Sequence, residues 1–171
     1  MIFRLSQKLN ARIKGGTLAT LPPDENPFAD WSAGLFHVGR SPHILVANTK
    51  SLYSTVLPGK GVTDEATFVE RVSSSVRELL EANGHRGVYE SSVAPLLGTV
   101  RFAKALNRSL TGSMTDLVKQ AVILLETGEL SVTEINSQLI GTPMTGLKHA
   151  GSTHGFPRDE FADMVDRVAN P

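Results

Sequence analysis

The four consecutive apolar residues Ile44-Leu45-Val46-Ala47 constrain this chain more than any other stretch. Successive side chains of a strand point to opposite faces. A run that is apolar at every position therefore suits a central strand covered on both sides. Apolar runs at 35–38 and 52–57 flank it, and the breaks between them, Gly39-Arg-Ser-Pro42 and Asn48-Thr-Lys-Ser51, carry turn chemistry. Pro58-Gly59 closes the third run. Three short runs joined by such turns predict an antiparallel meander. Residues 2–5 add a strand and residues 7–14 a short polar helix.

The later part of the chain changes period. Phe68, Val69, Val72, Val76, Leu79 and Leu80 recur at helical spacing, with Thr63 as the cap, Asp64 and Glu65 in the first turn and Asn83-Gly84 as the stop. The clearest stripe is Met114, Leu117, Val118, Ala121, Val122 and Leu125, with Ser113 and Asp116 resembling a capping-box pair and Gly128 ending the helix. Ser131 and Glu134 repeat that device ahead of Val132, Ile135 and Leu139. Pro157 is placed as a first helical residue before Phe161, Met164, Val165 and Val168. Residues 87–90 read as a short strand; 99–106 alternates as a strand does and ends at the Asn107-Arg-Ser turn, while its Ala, Lys and Leu suit a helix, so both readings stand. The expected fold class is α+β: one domain over residues 1–171, with an antiparallel β-meander sheet packed against several C-terminal helices. No domain boundary is expected in the glycine-rich stretches 15–27 and 141–155.

Bulk properties narrow the function classes. The 171 residues contain no cysteine, which excludes a disulfide framework, thiolate metal sites and a cysteine nucleophile. Seventeen basic residues balance 17 acidic ones. Neither a general nucleic-acid binder nor a membrane-surface protein usually shows that balance. A chain of so little net charge tends to self-associate, so a homo-oligomer is in view. The opening residues lack a basic segment followed by an apolar run of signal-peptide length, and no apolar run could span a bilayer. A soluble, cytoplasmic protein is expected.

Three blocks stand in order along the chain: the start Met1-Ile-Phe-Arg-Leu-Ser-Gln-Lys-Leu9; Asp30-Trp31 with Leu35-Phe36, Arg40 and Leu45-Val-Ala-Asn48; and Asn107-Arg-Ser-Leu-Thr-Gly-Ser-Met-Thr-Asp116 trailed by Gly141-Thr-Pro143. This order resembles a family of small bacterial proteins known only as a domain of unknown function. The Arg-Ser-x-x-Gly-Ser-Met-x-Asp segment is its most specific part. The resemblance implies a single domain and brings no reaction, substrate or cofactor.

Candidate chemistry centres on that segment. A glycine in a polar turn at a helix start exposes backbone N–H groups, and Arg108, Ser109, Thr111, Gly112 and Ser113 could complete an anion or phosphate seat. The plainer account has Ser113 as cap, Gly112 supplying a special backbone angle and Arg108 paired with a carboxylate. No Walker loop is present, since neither this glycine nor Lys60 in Pro58-Gly-Lys-Gly61 sits in a Gly-x4-Gly-Lys-Ser/Thr array. Arg4, Arg40, Arg101, Lys104 and Arg108 lie on or beside proposed strands and could gather on one sheet face toward phosphate; dispersed, solvated charge is the plainer account. Trp31 reads as core packing, and His37 as a packed or surface histidine. His149 and His154, five residues apart in a glycine-bearing loop, lack the partners of a metal site. No nucleophile elbow, His-Glu-x-x-His or Ser-x-x-Lys array occurs. Asp64-Glu65 and Asp159-Glu160 are explained as helix first turns. The expected function is a non-enzymatic binding or regulatory module without metal or cofactor, with a phosphate-bearing ligand at 108–113. The alternative is a hydrolase or transferase acting on a phosphorylated small molecule through a dispersed site.

Overall fold

The computed structural model describes residues 1–147 and 152–169. Among them, five strands form one sheet in the order β4-β3-β2-β1-β5: β1 (Ile2–Leu5), β2 (Asp30–Val38), β3 (Ser41–Asn48), β4 (Ser54–Pro58) and β5 (Arg101–Ala103). The meander β2-β3-β4 is antiparallel as expected, with Trp31 opposite Asn48 and Ala47 opposite Ser54. The sheet as a whole is mixed, which corrects the purely antiparallel expectation: β1 runs parallel to both β2 and β5. Parallel neighbours need long crossovers, because a short turn can only reverse the chain. Residues 6–29 supply the first crossover and include α1 (Gln7–Arg12), capped by the Ser6 hydroxyl.

Residues 44–47 do what their unbroken apolarity demands. Ile44 and Val46 join one buried cluster, with α2 (Glu65–Ala82) supplying Phe68, Val72 and Val76. Leu45 and Ala47 join a second cluster on the opposite face, under α4 (Arg108–Thr127) and α5 (Val132–Ile140). The α+β class holds, with helices on both faces of the sheet. Helix α6 (Pro157–Ala169) opens on the expected proline and returns to the first face through Phe161 and Met164. Trp31 is fully buried there, and its indole N–H donates to the Phe28 carbonyl at 2.8 Å.

Several local expectations need correction. Asp64, not Thr63, caps α2, accepting the Thr67 N–H at 2.8 Å; a carboxylate there also suits the positive end of the helix. Residues 87–90 are not a strand. The chain turns helical again through α3 (Arg86–Val88) and the wide turn Tyr89–Val93, where Arg86 and Glu90 pair at 2.8 Å one helical turn apart. The segment 99–106 is a strand only over the three residues of β5. Ser113 does not cap α4. The helix begins six residues earlier in the chain, where the Asn107 side chain accepts the Leu110 N–H at 2.9 Å. Asparagine is as good a cap as serine, and Leu110 extends the buried stripe of Leu117, Ala121 and Leu124 by two turns. Ser131 and Glu134 do form the capping box of α5, and Gly128 ends α4 at φ +68.

Candidate functional site

The start of β2, the end of β3 and the start of α4 meet at one end of the sheet, and a buried ion pair organises that meeting. Arg4 on β1 is 2% exposed. Its Nε and Nη2 donate to the two carboxylate oxygens of Asp30 at 2.8 and 2.7 Å. The remaining guanidinium hydrogens reach the carbonyls of Leu21, Pro22 and Lys104 at 3.0, 2.8 and 3.5 Å. Asp30 also accepts the Asp24 N–H at 3.1 Å. A bidentate pair with its other donors used is the arrangement that offsets the desolvation of two buried charges. It ties the 21–24 loop and the chain leaving β5, which run side by side from the Ala19–Ala103 bridge, to the start of β2.

A second polar hub, Asn48, shapes the turn between β3 and β4. Its Nδ2 donates to the Pro27 carbonyl at 2.7 Å, and its Oδ1 accepts the Lys50 and Ser51 N–H groups at 3.1 and 3.0 Å. Its backbone carbonyl accepts the Leu52 N–H at 2.9 Å, and Leu52 takes φ +60, a conformation that side-chain-bearing residues rarely adopt. Wound in this way, the turn projects Thr49 and Lys50 toward the 23–27 loop and the start of α4. The Thr49 hydroxyl is bonded to that of Ser32 at 2.9 Å.

Two cavities open on either side of this turn. The larger, about 320 Å³, lies between Pro23, Asp24, Glu25 and Pro27 on one wall and Thr49, Lys50 and Leu106 on the other. The smaller, about 140 Å³, runs from Thr49, Lys50 and Leu106 to Asn107, Ser109 and Ser113. They share Thr49, Lys50 and Leu106, so together they make one cleft from the acidic loop to the start of α4. Lys50 is exposed and pairs with no carboxylate among the described residues. The first N–H groups of α4, at Arg108 and Ser109, have no intrahelical acceptor.

A family model, that of DUF6933, a domain of unknown function, matches residues 2–160. The chain belongs to this family. The DUF6933 match takes in every residue of the cleft. No curated protein matches the chain.

The residues singled out in the sequence are only partly brought together in this DUF6933 chain. Ser109 and Ser113 line the smaller cavity, Ser113 buried against Gly146, where any Cβ would strike its hydroxyl. Arg108 is exposed in the first turn of α4 beside them. Gly112 is an ordinary helical residue on the exposed side of α4, so the special backbone angle expected of it is absent. Thr111 spends its hydroxyl on the Asn107 carbonyl at 3.0 Å and faces a different cavity, with Arg4 and Ser32. Arg40 sits in the β2–β3 turn at the opposite end of the strands, and Arg101 on the edge strand beside Ile2. Arg4 is consumed by Asp30. The five basic residues therefore do not gather on one face. His149 lies outside the described residues, and the His154 ring meets Thr153 and Phe156. Among the described residues no three His, Asp or Glu side chains cluster as metal ligands would, and no helix is long and apolar enough to cross a membrane.

Sequence reasoning missed Lys50, Asp24, Glu25 and Leu106. Lys50 stood in a segment read only as a turn. The one usable signal was Leu106, an apolar residue stranded between a strand and the polar Asn107 cap; it is 36% exposed, and its exposed surface lines the cleft.

Proposed function

We propose that this protein is a non-enzymatic binding or regulatory module that takes a small phosphate-bearing molecule in the cleft around Lys50. The observation that carries this reading is that the two cavities meet at Lys50, which pairs with no carboxylate among the described residues, beside the first turn of α4. A phosphate there would meet the Lys50 ammonium, the Ser109 hydroxyl and the open N–H groups of Arg108 and Ser109. The seat expected across 108–113 is thereby narrowed to its first two residues and extended to Lys50. The zero net charge keeps nucleic acid outside this reading and self-association within it.

Thermal denaturation with ribose 5-phosphate tests it. A ligand at one hundred times its Kd adds about 2.7 kcal/mol, a melting-temperature rise of about 5–11 °C for a chain of this size. Lys50→Met should abolish the rise and Arg108→Ala should reduce it. Absence of any rise in the wild-type protein with ribose 5-phosphate, inorganic phosphate or sulfate would remove the reading.

One observation favours the enzymatic alternative, a hydrolase or transferase on a phosphorylated small molecule. The cleft that starts at α4 ends at the carboxylates of Asp24 and Glu25, so a held phosphate and an acid or base would face the same space. Turnover of a phosphate ester by the wild-type protein, lost in a Glu25→Gln, Asp24→Asn double variant that still binds ribose 5-phosphate, would decide for this alternative.

A further inference from the structure

The sheet ends in two edges, and each is closed differently. An edge strand presents N–H and C=O groups that another strand can bond, so it invites pairing with a second chain. At β5 the exposure is brief: the strand has three residues, and the Lys104 N–H just beyond it donates to the Ala19 carbonyl at 2.9 Å. At β4 the register fixes which groups point outward. The Asn48 N–H donates to the Tyr53 carbonyl and the Gly59 N–H to the Pro42 carbonyl, so Thr55 and Leu57 bond β3. Ser54, Val56 and Pro58 therefore turn their backbone groups away from the sheet. Pro58 has no N–H to offer. The Val56 N–H is taken by a side chain, Asn136 of α5, whose Oδ1 accepts it at 3.0 Å. The Asn136 Nδ2 donates to the Thr55 hydroxyl at 2.9 Å, so one buried amide spans the strand edge. Apolar contacts hold α5 there, Ile135 and Leu139 in one buried cluster and Ile140 in the other. The cover is incomplete, because the buried Ser54 hydroxyl has no partner among the described residues.

We infer that Asn136 guards the β4 edge, and that this edge is a latent pairing surface for a second copy of the chain. The occupant follows from the pattern of outward groups. Two β4 strands meeting antiparallel about a two-fold axis at Val56 would exchange Val56 N–H···O=C bonds in both directions. Each Ser54 N–H would meet the Pro58 carbonyl of the other copy, and the Pro58 N–H is the one donor missing on each side. A chain of zero net charge meets its own copy without net repulsion. An asparagine amide carries a carbonyl acceptor and an N–H donor, as a peptide group does. Asn136 thus imitates the strand that it excludes, and the docked α5 and the paired edge are alternative states of β4.

Cysteine cross-linking of the full chain tests this, since the chain has no cysteine of its own. Residues opposite each other in a hydrogen-bonded antiparallel pair have Cα atoms about 5.5 Å apart, within disulfide reach. Val56→Cys alone should stay monomeric under diamide, as read by non-reducing gels and light scattering. Val56→Cys combined with Asn136→Ala should give a disulfide-linked dimer. Asn136→Ser, a milder cut, should give the same dimer in lower yield. Val56→Cys combined with Val72→Ala, which loosens the core under α2 and leaves α5 intact, should stay monomeric. Pro58→Cys combined with Asn136→Ala should not cross-link, because its cysteines stand opposite Ser54. Absence of a dimer in both Asn136 variants overturns the latent surface. Equal cross-linking with Asn136 intact or with Val72→Ala overturns Asn136 as the guard, and equal cross-linking through position 58 overturns the pairing about Val56.

Discussion

The two faces of the sheet are packed by different means. The face under α2 and α6 is aromatic: Phe3 meets Phe68 edge-on with ring centres 5.4 Å apart, and Tyr53 stacks on Phe161 at 4.4 Å. Phe28 and the fully buried Trp31 complete it. The face under α4 and α5 has Phe36 as its aromatic member and is otherwise aliphatic. The cleft, with its buried ion pair, opens at the edge of this second layer. The buried charge pair belongs to the second layer alone, while hollows open on both sides of the sheet, the one beside Val69 and Phe102 on the aromatic side being about 590 Å³.

The contrast can be broken most severely at the ion pair. Asp30→Ala leaves the Arg4 guanidinium buried without its counter-charge and should destabilise the protein by about 3–5 kcal/mol in urea unfolding. Arg4→Met combined with Asp30→Leu should recover most of that loss. A small effect of Asp30→Ala would show that water reaches Arg4 and that the pair organises nothing. On the aromatic face, Phe68→Ala should cost a similar amount, about 3–5 kcal/mol. Leu106→Ala on the cleft should stay within about 0.5 kcal/mol. Equal losses at Phe68 and Leu106 would erase the distinction between a packed aromatic core and an exposed cleft wall.

A weaker handle is pH. His85 packs against Phe161 and Tyr53, with ring centres 5.1 and 6.1 Å away, and burial lowers its pKa from the ordinary 6.5. The neutral ring is the form that the fold favours. Its contribution is fully present above pH 6.5 and is lost as pH falls through the depressed folded value. Stability should therefore decline on acidification below that point, and His85→Gln should flatten the decline. A slope unchanged by that substitution would place the acid sensitivity elsewhere. The smallest effect concerns Tyr53, whose buried hydroxyl has no hydrogen-bond partner among the described residues. Tyr53→Phe removes an unsatisfied polar group, so stability should hold or rise slightly in thermal melts.

Much of the aromatic and aliphatic layering was legible in the sequence, because burial leaves a period. The unbroken apolarity of residues 44–47 announced cover on both faces, and the α4 and α5 stripes supplied one of the covers. The parallel placement of β1 was not legible. Residues 2–5 look the same whichever neighbour they pair with, and the crossover that decides it is long and irregular. The cleft was half legible. Ser109 and Ser113 stood out because they adjoin a helix start, but Gly112 and Thr111 stood out equally and face elsewhere. Moving the cap from Ser113 to Asn107 turns a presumed loop into two helical turns, and with it the set of side chains that face inward. Lys50, Asp24 and Glu25 come from turns, where no periodicity marks a shared space. What brings them together is the pair of buried polar hubs, Arg4–Asp30 and Asn48, whose partners are spread over a hundred residues of chain.

The location of the site can be read directly from amide chemical shifts of the labelled protein during titration with ribose 5-phosphate. The account requires the largest shifts at Thr49, Lys50, Arg108 and Ser109, with little change at the β2–β3 turn around Arg40. Shifts centred on that opposite end, or none at saturating ligand, would contradict it.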